Sequence, residues 1–348
     1  MRWDDIYVSA VAASLGRRED TATAVADGRY HAEEREASGY LGVRVCDDGP
    51  AVELAVSAAN LALKRSGPAS EDVELVVHAS LGYQGLDHFA PAPYVQRRTV
   101  GGRASALEVR QASNGGLAAL DMSAAYLAAR SAPSAVLVTT GDRFAQPMFD
   151  RYRTANGLLL GDGGTAAVLT RTPGVARLCS SAFVGVTDHE GLQTGTDPWI
   201  DAPVANRWPL DIQARVRAYF AAGGADPQVV VRSFWQAEND TMATALADAD
   251  LDAGDIAWWV FPNMGLTLAG WASRADFGVD LSRTTWQWGR RQGHLGAGDQ
   301  IAALAYLLES RQLRAGDRIL CHGAGNGFTL ASMVFEILEE PDWPNSTE

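Results

Sequence analysis

Apolar positions along the 348 residues divide the chain into alternating helices and strands. Residues 51–66 (AVELAVSAANLALKRS) repeat apolar side chains at helical spacing after an Asp-Asp-Gly-Pro start signal, which predicts a helix. Beyond the Gly67-Pro68 break, residues 74–81 (ELVVHASL) form an apolar run of strand length. Residues 114–130 make an Ala/Leu-rich helix, and 135–140 (AVLVTT) a further buried strand. The second half repeats this order: a helix near 239–249, a strand at 256–261 (IAWWVF), a helix at 299–311 and a strand at 318–322. Leu75 and Ala257 are 182 positions apart and Val136 and Ile319 183, so two separate elements give nearly the same offset. Duplication of a βα unit accounts for that constancy.

Alternating strands and helices predict an α/β protein whose sheets are covered by helices, with two similar halves packed as layers. The first half spans residues 1–175 and the second 176–348, the divide falling after a strand at 165–169. A stretch from about 185 to 232, with four prolines and a helical run at 211–221, interrupts the repeat in the manner of a lid or substrate-side element.

Composition narrows the function. Apolar residues make up 47% of the chain and charged residues 20%, enough for a large core. A net charge of −13 argues against a nucleic-acid or anionic-membrane partner, which would require a cationic surface. With no apolar run of spanning length and no signal-peptide pattern at the N-terminus, the expected location is the cytoplasm. Cys46, Cys179 and Cys321 are too scattered for a metal or disulfide framework, so no metal and no bound cofactor are expected.

Four segments carry candidate chemistry. Ser113, in Gln-Ala-Ser-Asn-Gly-Gly, stands between an apolar run and a long helix. There it acts either as a helix cap or as a nucleophile whose developing charge the helix end stabilises. His294 lies in the glycine-rich loop Arg-Gln-Gly-His-Leu-Gly-Ala-Gly-Asp, which the repeat makes the counterpart of the Ser113 loop, so the two should face each other. Asp299 follows at a helix start, as a cap or as the group that fixes the imidazole tautomer. Asn263, in Phe-Pro-Asn-Met-Gly at a strand end, is expected to point into the same cleft. Residues 323–329 (GAGNGFT) form a glycine turn whose bare backbone would approach a ligand.

The chain resembles the ketoacyl-acyl carrier protein synthase III group of the thiolase superfamily over residues 5–336. Gly161-Asp162-Gly163-Gly164-Thr165-Ala166-Ala167 is similar to the family's Gly-Asp-Gly-Ala-Gly-Ala strand lead-in, and residues 323–329 to its glycine turn. The resemblance implies a thiolase-like fold with an α-β-α-β-α layering and a homodimer. It implies an oxyanion hole from the N–H groups of Ser113 and Gly327, and a Phe89 that reaches the partner's acyl pocket. Three positions depart from the pattern: Ser113 takes the place of the catalytic Cys, Asn263 that of the His, and His294 that of the Asn. A histidine followed by a carboxylate suits proton abstraction from an alcohol or amine. In this it resembles the acyltransferase branch of actinobacterial natural-product pathways, whether for a polyketide, an antibiotic or another secondary metabolite.

The expected reaction moves an acyl group from a carrier-protein or coenzyme A thioester through acyl-Ser113 to a hydroxyl or amine of a small acceptor. The alternatives are a starter-selecting condensing enzyme and a non-catalytic partner subunit. Phe89, Trp208, Trp235, Trp286 and Asn326 are candidate substrate contacts, among ten tryptophans that include Trp199, Trp271 and Trp288. Arg274, Arg290 and Arg291 are candidates for docking an acyl carrier protein.

Overall fold

The computed structural model describes residues 1–131, 133–201, 208–268 and 274–347. Trp271 lies outside them. The first half contributes strands β1 (Tyr7–Leu15), β4 (Val73–Ala79), β5 (Ser105–Val109), β6 (Ala135–Asp142) and β7 (Gly163–Thr170). The second contributes β8 (Ala176–Gly185), β9 (Ile256–Val260), β10 (Arg318–Gly325) and β11 (Thr329–Ile337). A small ribbon, β2 (Arg17–Asp20) with β3 (Gly42–Val45), stands apart. The four core helices are α1 (Ala51–Ser66), α2 (Gly115–Ala128), α3 (Pro227–Asp248) and α4 (Asp299–Glu309).

The strand order is β5-β4-β6-β7-β1-β8-β11-β10-β9. Read outward from the middle, β1-β7-β6-β4 in one half has the same plan as β8-β11-β10-β9 in the other. The halves meet edge to edge through the pairs Tyr7↔Arg177 and Val8↔Ala176. The parallel strands β4 and β6 read as unbroken apolar runs because both of their faces are buried.

Alternation along each strand distributes those side chains between layers. Val11, Leu75, Val77, Val136, Val138 and Leu169 from one half meet Ile319, Cys321, Met333 and Phe335 from the other around α2 and α4, which supply Leu117, Leu120, Ile301 and Leu304. The opposite faces pack outward: Val76, Leu137 and Val168 against α1, and Ile256, Trp259, Leu320 and Val334 against α3. Helix, sheet, paired helices, sheet and helix therefore follow one another, the thiolase-like α-β-α-β-α layering. No helix of the described residues is long and apolar enough to cross a membrane.

One element departs from expectation. The helix expected near 239–249 begins at Pro227, with the Asp226 side chain accepting from the Gln228 N–H at 2.7 Å. The insertion therefore ends at Asp226 rather than at 232. Val229, Val230 and Val231 in its first turns mask the helical period, since only Val230 of the three is buried.

Candidate active site

The loops ahead of α2 and α4 meet between the two sheets. The chain leaves β5 and turns at Ala112, whose φ of 47° places it in the left-handed region that costs an L-residue roughly 1–2 kcal/mol. A single 3₁₀ turn, Ala112–Asn114, then feeds α2. Glycines make the approach possible: a Cβ on Gly116 would fall 2.3 Å from the Ala297 carbonyl oxygen, and one on Gly325 2.3 Å from that of Gln111. Gly323 and Gly325 of the glycine turn thus give their space to the Ser113 loop rather than to a ligand. Asn114, fully buried, occupies the N-cap position of α2. Ser113 is free of capping, and its Oγ lies 2.7 Å from His294 Nε2.

His294 is buried and held by its backbone, its N–H donating to Leu159 O at 2.7 Å and its carbonyl accepting from the Gly161 N–H at 2.9 Å. Its Nδ1 is 2.6 Å from Asp299 Oδ2. Asp299, fully buried at the first position of α4, accepts further bonds from the N–H groups of Asn263 at 2.8 Å and Leu295 at 2.7 Å, and from Asn263 Nδ2 at 3.1 Å. A carboxylate so engaged is an acceptor only, so His294 Nδ1 carries the hydrogen and Nε2 is left to accept the Ser113 proton. Burial works to lower the His294 pKa, but the charge and hydrogen bond of Asp299, with the charge of Asp142 behind it, outweigh burial and hold it above the usual imidazole value.

Asn263 corrects the expectation from sequence. Its side chain reaches the site but is spent there, donating to Asp299 and, at 3.0 Å, to the Gly293 carbonyl. A Cβ on Gly289 would strike its Oδ1. It orients the carboxylate and presents no free N–H to a substrate. Asp142, which no sequence signal singled out, lies fully buried at the end of β6. It binds backbone N–H groups of Leu81, Gly82 and Ala297 at 2.8, 2.8 and 2.9 Å.

Residues 107–185 match the family model described as 3-oxoacyl-[acyl-carrier-protein] synthase III, and residues 246–337 match the model of its C-terminal part. A solved structure described as ChlB3, an acyltransferase, is 34% identical with a TM-score of 0.90, over 98% of this chain and 100% of that one. The chain belongs to the ketoacyl synthase III-like group of the thiolase superfamily. The β-ketoacyl-[acyl-carrier-protein] synthase III 2 of Lactiplantibacillus plantarum is 23% identical over 315 residues, 87% of this chain and 89% of that protein. The 3-oxoacyl-[acyl-carrier-protein] synthase III of Aquifex aeolicus shares the fold, with a TM-score of 0.75 at 16% identity over 95% of this chain and 99% of that one.

Within this synthase III frame the remaining candidates separate. Phe89 and Trp208 are half-buried and line a groove of about 1020 Å³ together with Tyr83, Arg110, Met148 and Phe149. Trp286 is buried against Tyr40 and supports β3 and its neighbours, while Trp235 projects from the outer helix α3 with 41% of its surface exposed. Neither lines that groove. Asn326 is exposed at the tip of the glycine turn, and Gly327 beside it has φ of 125° with open space where a Cβ would stand. Arg274 is no docking residue: it is buried, its Nε donates to Glu238 at 2.9 Å, and its guanidinium lies 3.6 Å above the Phe261 ring. Arg290 is half-buried and donates to the Gly39 carbonyl at 2.9 Å, and Arg291 is half-buried alongside it.

Proposed function

We propose that this protein is an acyltransferase that works through an acyl-Ser113 ester. The observation that carries the reading is the hydrogen-bonded line from Ser113 Oγ through His294 to Asp299, at 2.7 and 2.6 Å. In the first half-reaction His294 Nε2 takes the Ser113 proton as Oγ attacks the carbonyl of a carrier-protein or coenzyme A thioester. The C–S bond breaks, and the departing sulfur receives that proton. In the second, an acceptor hydroxyl or amine gives its proton to Nε2 and attacks the ester, and Ser113 leaves with the proton returned. Asp299 holds the tautomer and offsets the imidazolium charge, with Asn263 fixing Asp299. The N–H groups of Ser113 and Gly327 are the proposed oxyanion donors, and Phe89 and Trp208 the proposed substrate contacts. The likeness to ChlB3, described as an acyltransferase, supports acyl transfer, and a small natural-product hydroxyl or amine is the proposed acceptor. The exposed edge of β5, with Leu107 at 36% exposure, supports a homodimer paired there.

A condensing reading also has an observation in its favour, since the curated relative from Lactiplantibacillus plantarum is a β-ketoacyl synthase. Such a reaction draws on two donors for the malonyl thioester carbonyl, and Asn263 is already committed to Asp299 and Gly293. The deciding experiment is intact mass spectrometry with a panel of acyl thioesters, followed by peptide mapping. Acylation on the Ser113 peptide without carbon dioxide release from malonyl-carrier supports acyl transfer. Acylation of Cys46, Cys179 or Cys321, or release of carbon dioxide with ketoester formation, overturns it.

A further inference from the structure

Asp142 ends β6 directly beneath the histidine loop and ties together two segments distant in sequence. Its Oδ1 accepts from the Leu81 and Gly82 N–H groups and its Oδ2 from the Ala297 N–H. Leu81 and Gly82 form part of the groove wall. Gly296, at φ of 63°, lies flat against the carboxylate, and a Cβ there would fall 2.2 Å from Oδ2, so only glycine lets the histidine loop come this close. No guanidinium or ammonium among the described residues neutralises it: the cation that reaches it is protonated His294. Conversely, the ionisable groups facing His294 are Asp299, in contact, and Asp142 behind it.

We propose that Asp142 is a positioning residue for acyl transfer, clamping the His294 loop to the groove wall and supplying a second negative charge that stabilises the imidazolium formed in each half-reaction. The proposal rests on the reading of His294 as the general base. Its charge is itself responsive. Burial pushes the Asp142 carboxyl up to about 6, against the pull of its three N–H partners and of His294, so it is ionised at neutral pH and loses its charge just below. The charge of each group therefore bears on the titration of the other.

The test is Asp142→Asn in the full-length protein, followed by the pH dependence of Ser113 acylation and, independently of activity, by the titration of His294 in protein labelled with ¹³C-histidine. Removing the charge should move both the imidazole titration and the acidic limb of the rate profile to lower pH. A folded variant with an unmoved His294 titration overturns the proposal and leaves Asp142 a backbone clamp. Should the variant fail to fold, the wild-type protein still decides: a second inflection near pH 6 in the His294 resonance supports the coupling, and a single inflection refutes it. If no thioester acylates the wild-type protein, the acyltransferase reading fails, while the imidazole titration still judges Asp142.

Discussion

The helices α2 and α4 occupy equivalent places in the two halves, side by side between the sheets, yet their N-terminal ends carry different chemistry. The end of α2 presents a single neutral hydroxyl on a backbone turned through the left-handed region at Ala112. The end of α4 presents a buried carboxylate wrapped by three N–H bonds and an imidazole. The two halves share one plan from β1 and β8 outward, and at their centre they differ in the few residues ahead of each central helix. Under the proposed function, one half holds the group that would carry the acyl chain, and the other the groups that would move the proton. Substitutions in those loops should therefore change rate, and substitutions in the shared scaffold should change stability.

The largest effects should follow from breaking the division of labour itself. Ser113→Ala should abolish the acyl-enzyme, while Ser113→Cys keeps it, a thiol being the better nucleophile. His294→Ala should cost about 10² to 10⁴ in transfer rate, the usual worth of a general base. The Ser113 variants should unfold like the wild-type protein in urea, whereas His294→Ala also removes a buried bond to Asp299 and should lose some stability. Because the proposed mechanism uses His294 in its neutral form and Asp299 and Asp142 hold its pKa above the ordinary 6.5, wild-type transfer should weaken as pH falls through that raised pKa. Asp299→Asn should lose less rate than His294→Ala and more stability, because an amide must aim one donor at groups that already donate. Near-wild-type transfer by His294→Ala would place the base elsewhere.

The next effect belongs to the scaffold. His78 in β4 and His322 in β10, one in each half, are fully enclosed and bonded to Thr139 and Ser332, and burial pushes both down to about 4. An unfolded histidine protonates near 6.5, so between 6.5 and about 4 the unfolded chain binds protons that the folded chain refuses. Stability should thus fall with pH over that window, by roughly 3 kcal/mol for each histidine. Asp142 works in the opposite sense below about 6, where the folded chain retains a proton that the unfolded carboxyl releases, and offsets part of the loss. Urea unfolding at pH 7 and pH 5 should show the drop. His78→Gln and His322→Gln should each flatten it by similar amounts, and a flat wild-type profile would contradict the burial argument.

This scaffold was legible in the sequence where burial on both faces produced continuous apolar runs, as in β4, β6, β9 and β10. It was not legible in β1 and β8, which are rich in small and polar residues. Ser180 and Ser181 of β8 are wholly buried because Ala245, Asp121 and Trp3 satisfy their hydroxyls. Ser113, His294 and Asp299 could be found because glycines and helix starts mark their loops. The partners of Asn263 could not, since a strand end does not say what its side chain will bind. Arg274 looked like surface charge because its partner Glu238 lies 36 residues away on α3. Asp142 left no local mark at all, its three partners being backbone groups from two remote loops.

The smallest and most discriminating effect concerns the glycines at the two helix starts. Gly116 and Gly298 both have backbones open to alanine, and at either position alanine would lower the entropy of the unfolded chain, a gain of about 0.4–1 kcal/mol. What opposes that gain differs between the halves. At Gly116 the new methyl would stand 2.3 Å from the Ala297 carbonyl oxygen, a backbone atom that can recede only if the histidine loop moves with it. At Gly298 it would meet Thr140 Oγ1 at 2.7 Å and Thr165 Cγ2 at 3.1 Å, side-chain atoms that can shift at the cost of the 2.7 Å bond between the two hydroxyls. Gly116→Ala should therefore destabilise by about 1–3 kcal/mol, the usual cost of overpacking, and slow acylation by prising Ser113 from His294. Gly298→Ala should change stability by less than about 1 kcal/mol and leave the Ser113 and His294 loops in register. Urea midpoints and acylation rates of the two variants check this directly. Equal losses in both would mean that the loops tolerate separation, and that the close approach of the halves at Gly116 is a matter of packing rather than of holding the nucleophile to its base.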